Sequence, residues 1–178
     1  MNDSAPHKWT HPAALSEAEL LPLCDMQRTR RGGPGGQHRN KTETAIVVTH
    51  RESGVSGQAS ERRSQQANRE EAVFRLRLNL AVAVRTSIDA SNEDIEPTDL
   101  WQRRSSGRKM NVSTGHRDFP TLVAESLDWI VACEFELAAA AQRLGLSTSQ
   151  LVKFLKQCPE AWQWIQQRRH QRGLPRLK

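Results

Sequence analysis

Arg30-Arg31-Gly32-Gly33-Pro34-Gly35-Gly36-Gln37-His38-Arg39-Asn40-Lys41 is the stretch around which this chain is organised. Four of the five residues from 32 to 36 are glycine, so the backbone there is open to conformations closed to other residues, while Pro34 fixes one φ in their midst. Such a loop suits close backbone approach to a ligand. Arg28, Arg30, Arg31, Arg39 and Lys41 surround it with no acid before Glu43, which points to an anionic partner.

Regular structure is expected on both sides. Leu23 to Thr29 alternates roughly apolar and polar and reads as a strand entering the loop. Ala45-Ile46-Val47-Val48-Thr49 is β-branched and reads as a second strand, Glu52-Ser53-Gly54 as a turn, and Val55 to Ala59 as a third strand. Residues 60–85 hold no glycine or proline and follow Ser60 as a cap, so one long helix is expected. Its row Ala72, Leu76, Leu80 and Ala83, edged by Val73 and Val84, suits packing on the sheet. Ala67, Phe74, Leu78 and Ala81 fall nearly opposite and call for a second cover, most economically the C-terminal region. The fold class is therefore α+β: a small antiparallel sheet packed on a long helix, with a C-terminal all-α module.

The remaining segments divide as follows. Residues 1–14 are polar with two prolines and read as a flexible tail; Ser16 and Glu19 form a capping box for a short helix that stops before Pro22. Residues 87–118 are an acidic and polar linker, ordered at most over 99–104. Residues 119–178 form the helical module, with one or two helices reaching Leu144, a turn at Gly145, a Ser147 cap, and a last helix after Pro159. Ala140 to Leu151 resembles the turn of a helix-turn-helix. The chain ends in a short basic tail.

Charge is unevenly spread. Residues 1–26 carry −3, 27–85 carry +7, 86–100 carry −5 and 101–178 carry +7, within a total of +6. Two basic bodies joined by an acidic connector suggest nucleic acid as partner. Cys24, Cys133 and Cys158 lack the spacing of a metal or disulfide framework and read as reduced thiols; no metal site and no cofactor is expected. No apolar run suits a leader or a membrane span, so a cytoplasmic location is expected and no membrane partner.

The loop fits neither the P-loop spacing nor the dinucleotide fingerprint, because His38 stands where the latter requires its third glycine. Gly33-Pro34-Gly35-Gly36-Gln37-His38-Arg39-Asn40-Lys41-Thr42 instead resembles the Gly-Gly-Gln signature of class I peptide-chain release factors. The likeness continues through Ala45 to His50, Gly54, Glu61-Arg62-Arg63-Ser64-Gln65 and Asn68-Arg69, covering roughly residues 20–85. The resemblance makes 15–86 a release-factor-like domain and implies ribosome-dependent hydrolysis of the peptidyl-tRNA ester in the peptidyl-transferase centre. Catalysis would fall to Gly35, Gly36 and Gln37: the glutamine amide N–H stabilises negative charge on the reacting oxygen, and its side chain admits water. RNA contacts would fall to Arg28, Arg30, Arg31, His38, Arg39, Asn40 and Lys41 at large-subunit ribosomal RNA. At the basic end they would fall to Arg168, Arg169 and Arg172. His38 and His50 would support the loop by hydrogen bonding.

Arg39 and Gly32 depart from the family's usual valine and serine. No Ser-Pro-Phe tripeptide is present, and the chain is short for a full release factor. The resemblance is therefore closer to the small codon-independent enzymes that rescue stalled ribosomes, acting as monomers, with a basic end that probes the mRNA channel. A non-catalytic ribosome- or RNA-binding factor, and a nucleic-acid-binding regulator working through the C-terminal helices, remain as readings of the same residues.

Overall fold

The computed structural model describes residues 9–29 and 45–177. The chain starts with a 3-10 turn at Pro12–Ala14 and the short α1 (Glu17–Leu20), whose Ser16–Glu19 capping box is formed in both directions. A three-stranded antiparallel sheet follows: β1 (Cys24–Thr29), β2 (Ala45–His50) and β3 (Ser56–Ala59), in that spatial order. The long α2 (Gln65–Ala83) packs on β2 and β3. Next come α3 (Asp99–Arg104), a two-stranded hairpin β4 (Ser105–Ser106) and β5 (Lys109–Met110), and four helices: α4 (Phe119–Ala132), α5 (Leu137–Arg143), α6 (Thr148–Leu155) and α7 (Pro159–Gln171). The class is α+β, as expected.

Alternation in β2 decides which face of the sheet is covered. Ile46 and Val48 are buried against α2, while Val47 and Thr49 are only half-buried on the other face. Gly57, paired with Val48, is where sheet and helix come closest. A Cβ there would lie 2.2 Å from Leu76 N and 2.3 Å from Ala72 O, both backbone atoms. Only glycine admits that approach. From α2, Ala72, Leu76 and Leu80 fill the interface as the pattern predicts, but Ala83 at the helix end is exposed.

The helix begins later than expected. Ser64, not Ser60, is the cap, its hydroxyl accepting from Ala67 N at 3.3 Å. The buried Asn68 explains the shift: its amide accepts from Arg62 N and donates to Arg62 O, both at 2.9 Å, which withholds residues 60–63 from the helix.

The second cover of α2 is α4. Arg77 donates to the Ala13 carbonyl (2.9 Å), the Arg117 carbonyl (3.1 Å) and the Thr121 hydroxyl (3.1 Å), and Arg85 pairs with Asp128 at 2.9 Å. The contact row is thus centred on Arg77, Ala81 and Arg85. Phe74 and Leu78, on the face expected to be covered, are only half-buried. Every residue of α4 from Phe119 to Ile130 is buried, including Glu125, Ser126 and Asp128, so this is a core helix with its polar groups satisfied internally.

Two segments are more ordered than their composition suggests. Residues 9–14, placed by the sequence in a loose tail, are strapped across α2 and α4. Trp9 Nε1 donates to Asp128 at 3.0 Å, and His11 is buried with its ring bonded to Val84 O and Ala13 N, both at 3.0 Å. Within 87–118, Trp101 is fully buried, stacks edge-on to Phe154 and donates to the Leu144 carbonyl at 2.8 Å. In both cases a tryptophan supplies apolar area that outweighs a polar neighbourhood.

Burial sets the protonation of two core carboxyls. Glu125, which receives Thr98 N (2.6 Å) and Thr98 Oγ1 (2.7 Å), is pushed up to about 7 by desolvation, and Asp128 to about 6 by the same cause. A carboxyl that binds its proton more tightly when folded favours folding at low pH, and that advantage falls as pH rises from about 4 to about 7. For Glu125 the loss is roughly 3 kcal/mol. Glu125→Gln keeps an acceptor oxygen for Thr98 and removes the titrating group, so urea titrations are expected to show this decline in wild type and a flatter profile in the variant. Gly57→Ala is expected to cost about 2–3 kcal/mol because helix backbone must move; an unchanged denaturation midpoint would contradict the close approach.

Candidate functional site

β1 and β2 pair from Cys24–His50 to Thr29–Ala45, so the segment that joins them leaves and re-enters the sheet at one end. Gly35, Gly36 and Gln37, with Arg30, Arg31, His38, Arg39, Asn40 and Lys41, lie outside the described residues. The described strands are their mount. Both of its strands are tied into the hairpin up to their last residue, and β2 is gripped from beneath by α2.

Arg28 stands one residue before that end, opposite Ile46 and on the same face of the sheet. Because α2 covers β2 and β3 but not β1, Arg28 is exposed, as are Asp25, Met26, Gln27 and Thr29. Ala59 pairs with Ile46, so the segment carrying Arg62 and Arg63 also departs from this end, and both arginines are exposed. Arg69 differs: it is bonded to Glu17 at 2.8 Å. Glu61, the acid beside Arg62, is held well below the usual carboxylate range, to about 2, chiefly by its hydrogen bond from Arg75. The sheet end therefore presents Arg28, Arg62 and Arg63, with that acid already partnered. Composition did not place the last two relative to the loop; the strand register puts them at the same end of the sheet as Arg28.

His50 is corrected. It sits at the other end of β2, a strand length or about 16 Å from Ala45, and its Nδ1 contacts Ser53 Oγ at 2.9 Å and Ser53 N at 3.3 Å. It braces the β2–β3 turn, where Gly54 has φ +68°, rather than the loop.

Of the three C-terminal arginines, Arg168 and Arg172 are exposed, stacked over Trp164 (5.5 Å) and Phe135 (4.3 Å). Arg169 is buried, at 5% exposure, and is not a surface cation. Its guanidinium donates to Pro175 O at 3.1 and 3.2 Å and to Phe135 O. Phe135 has φ +66°, and Arg169 helps hold that strained turn between α4 and α5. Gln166 bonds both polar groups of Leu177, so the basic end folds back along α7. The expected helix-turn-helix segment is a hairpin of α5 and α6 with Gly145 at φ +65° and Ser147 as cap; α6 exposes Thr148, Ser149 and Lys153.

The three cysteines are free, and burial pushes each thiol up. Among the described residues no group of three or more histidine, cysteine or acidic side chains comes together, and no helix is long and apolar enough to cross a membrane.

Residues 23–117 match the model of the RF-1 domain family. The chain is 48% identical over 89 residues to the chloroplastic peptide chain release factor PrfB1 of Arabidopsis thaliana, covering 42% of this chain and 20% of that protein. It is 39% identical over 111 residues to peptide chain release factor 1 of Chloroherpeton thalassium, covering 59% of this chain and 28% of that one. It thus spans 20% to 28% of the length of these relatives. No solved structure matches.

Burial separates neighbouring arginines by role. Arg169→Ala is expected to lower stability by about 2–4 kcal/mol, because charge-assisted bonds to two carbonyls are lost, whereas Arg168→Ala is expected to change it by less than about 0.5 kcal/mol. Thermal unfolding of the two variants side by side checks this.

Proposed function

This chain belongs to the RF-1 domain family, and from that premise we propose that it hydrolyses the ester of peptidyl-tRNA on the ribosome, independently of a stop codon. The observation that carries the reading is the Gly-Gly-Gln segment held between the paired strand ends Thr29 and Ala45, beside the exposed Arg28. Ester hydrolysis needs a placed water and a donor aimed at the oxygen where negative charge develops. A backbone N–H fixed in position is worth on the order of 100 to 1000-fold in rate. In this reading the Gln37 amide is that donor, Gly35 and Gly36 give the backbone the freedom to aim it, and the Gln37 side chain admits water.

Arg28, Arg30, Arg31, His38, Arg39, Asn40 and Lys41 contact large-subunit ribosomal RNA in this reading, joined by Arg62 and Arg63. These contacts carry no sequence information; they position the loop. No aromatic residue lies between Trp9 and Phe74, so phosphate and sugar rather than base stacking supply the grip. In this reading the helical body after α3 also meets RNA, through the exposed Arg168 and Arg172. With the end of the chain folded on α7, that body meets RNA as a structured face.

The test is release of labelled peptide from ribosomes stalled on truncated mRNA, on a sense codon and on a stop codon. Wild type is expected to release from the truncated complex without needing a stop codon. Gln37→Pro, which deletes the amide donor, is expected to lower the rate by about 100-fold or more, with Gln37→Ala retaining part of it. Wild-type rates in Gln37→Pro and Gly36→Ala would remove the assignment.

A further inference from the structure

Residues 101–117 carry five cations, Arg103, Arg104, Arg108, Lys109 and Arg117, and no acid. The fold turns this stretch into one surface. Arg104 bonds Asp118 (2.7 Å) and His116 (3.0 Å), and Asn111 N donates to Arg104 O at 2.8 Å, which draws both ends of the stretch together around the β4–β5 hairpin. Arg103, Arg108, Lys109 and Arg117 are left exposed around that knot. Of the flanking acids, Asp118 is partnered by Arg104 and lies 3.7 Å from Arg117, while Asp99 stands exposed one turn before Arg103 on α3. β5 packs on α6, a helix with no acid that adds an exposed Lys153.

The hairpin tip is built at a cost. Its two central residues, Gly107 and Arg108, have φ +54° and +60°, the positive-φ pair that a two-residue hairpin turn requires. Glycine or asparagine meets that requirement readily, whereas a long side chain there is strained. Among the described residues no hydrogen bond or ion pair engages the exposed Arg108 side chain, which points to a role outside the fold.

We propose that the β4–β5 hairpin is a second RNA-binding surface, separate from the Gly-Gly-Gln loop, in which Arg108 and Lys109 at the tip, flanked by Arg103 and Arg117, grip the phosphate backbone of folded RNA. Four exposed cations in a stretch that itself carries no acid match a phosphate row by charge. The absence of an exposed aromatic on the hairpin assigns the contact to backbone rather than to stacked bases. The choice of ribosomal RNA as the natural partner rests on the functional reading above; the affinity for RNA phosphate does not.

The experiment uses the full chain with Arg108→Gly and Lys109→Gln, singly and together, titrated against a short RNA duplex and against purified large ribosomal subunits over a range of salt. Arg108→Gly relieves the positive-φ strain, so its melting temperature is expected to equal or exceed wild type while its affinity falls. The slope of log K against log salt is expected to become shallower by about 1 for each cation removed. A loss seen with subunits and not with the duplex assigns the contact to ribosomal RNA in its folded form. Unchanged slopes and affinities in both arms overturn the proposal. Gln37→Pro, run alongside, is expected to lose release and keep its salt slope, so the hairpin and the loop are scored separately.

Discussion

A buried carboxylate at the middle of the molecule holds its parts in register. Asp128 receives Trp9 Nε1, Arg85 Nη1 and Thr86 N, so the N-terminal strap, the end of α2 and the core helix α4 converge on one group. Burying it is costly, and three donors offset that cost without cancelling it, since its carboxyl remains raised to about 6. An ion pair between Arg85 and Asp128 alone would be a weak source of stability. As a junction it does something apolar contacts cannot: it fixes direction and register for three segments that otherwise meet only through side-chain volume.

That junction is felt at the far end of α2. The helix is clamped on one side by α4 through Arg77 and Arg85, and on the other by the sheet, which reaches its backbone at Gly57. β2 cannot slide without driving β3 into Leu76. The strand ends Thr29 and Ala45 are therefore set by packing, and a loop that must present one backbone amide gains a rigid base at both anchors. β1 contributes only Cys24 to this core; its other side chains, from Asp25 to Thr29, are uncovered and available to a partner.

Charge is sorted in the same way. Arginines that look alike in composition divide into those closing internal bonds, Arg77, Arg85, Arg104 and Arg169, and those standing on the surface, Arg28, Arg62, Arg63, Arg103, Arg108, Arg168 and Arg172. The difference lies in available carbonyls and carboxylates. A guanidinium with five donors is drawn to a site where several backbone oxygens converge, as at Phe135 and Pro175, and is then unavailable to RNA.

Much was legible without a structure. Period-two alternation in Ala45 to Thr49, the capping box at Ser16, the row Ala72, Leu76 and Leu80, and the glycine turns report local preferences that act within a few residues, and the family signature is itself local. Ser60 failed as a cap and Ala83 as a core residue because Asn68 and the helix end override propensity. His50 failed as a loop support because register, not sequence distance, decides which end of a strand a residue occupies. The order of residues alone determined the α+β class, the three strands, the long helix and the glycine loop. Tertiary structure decided that Trp9 and Trp101 are anchors, that Arg169 is interior, and that residues 101–117 form one basic surface, because each depends on partners beyond its own helix or strand, from 7 to 119 positions away, whose donors and acceptors meet only when the chain is packed.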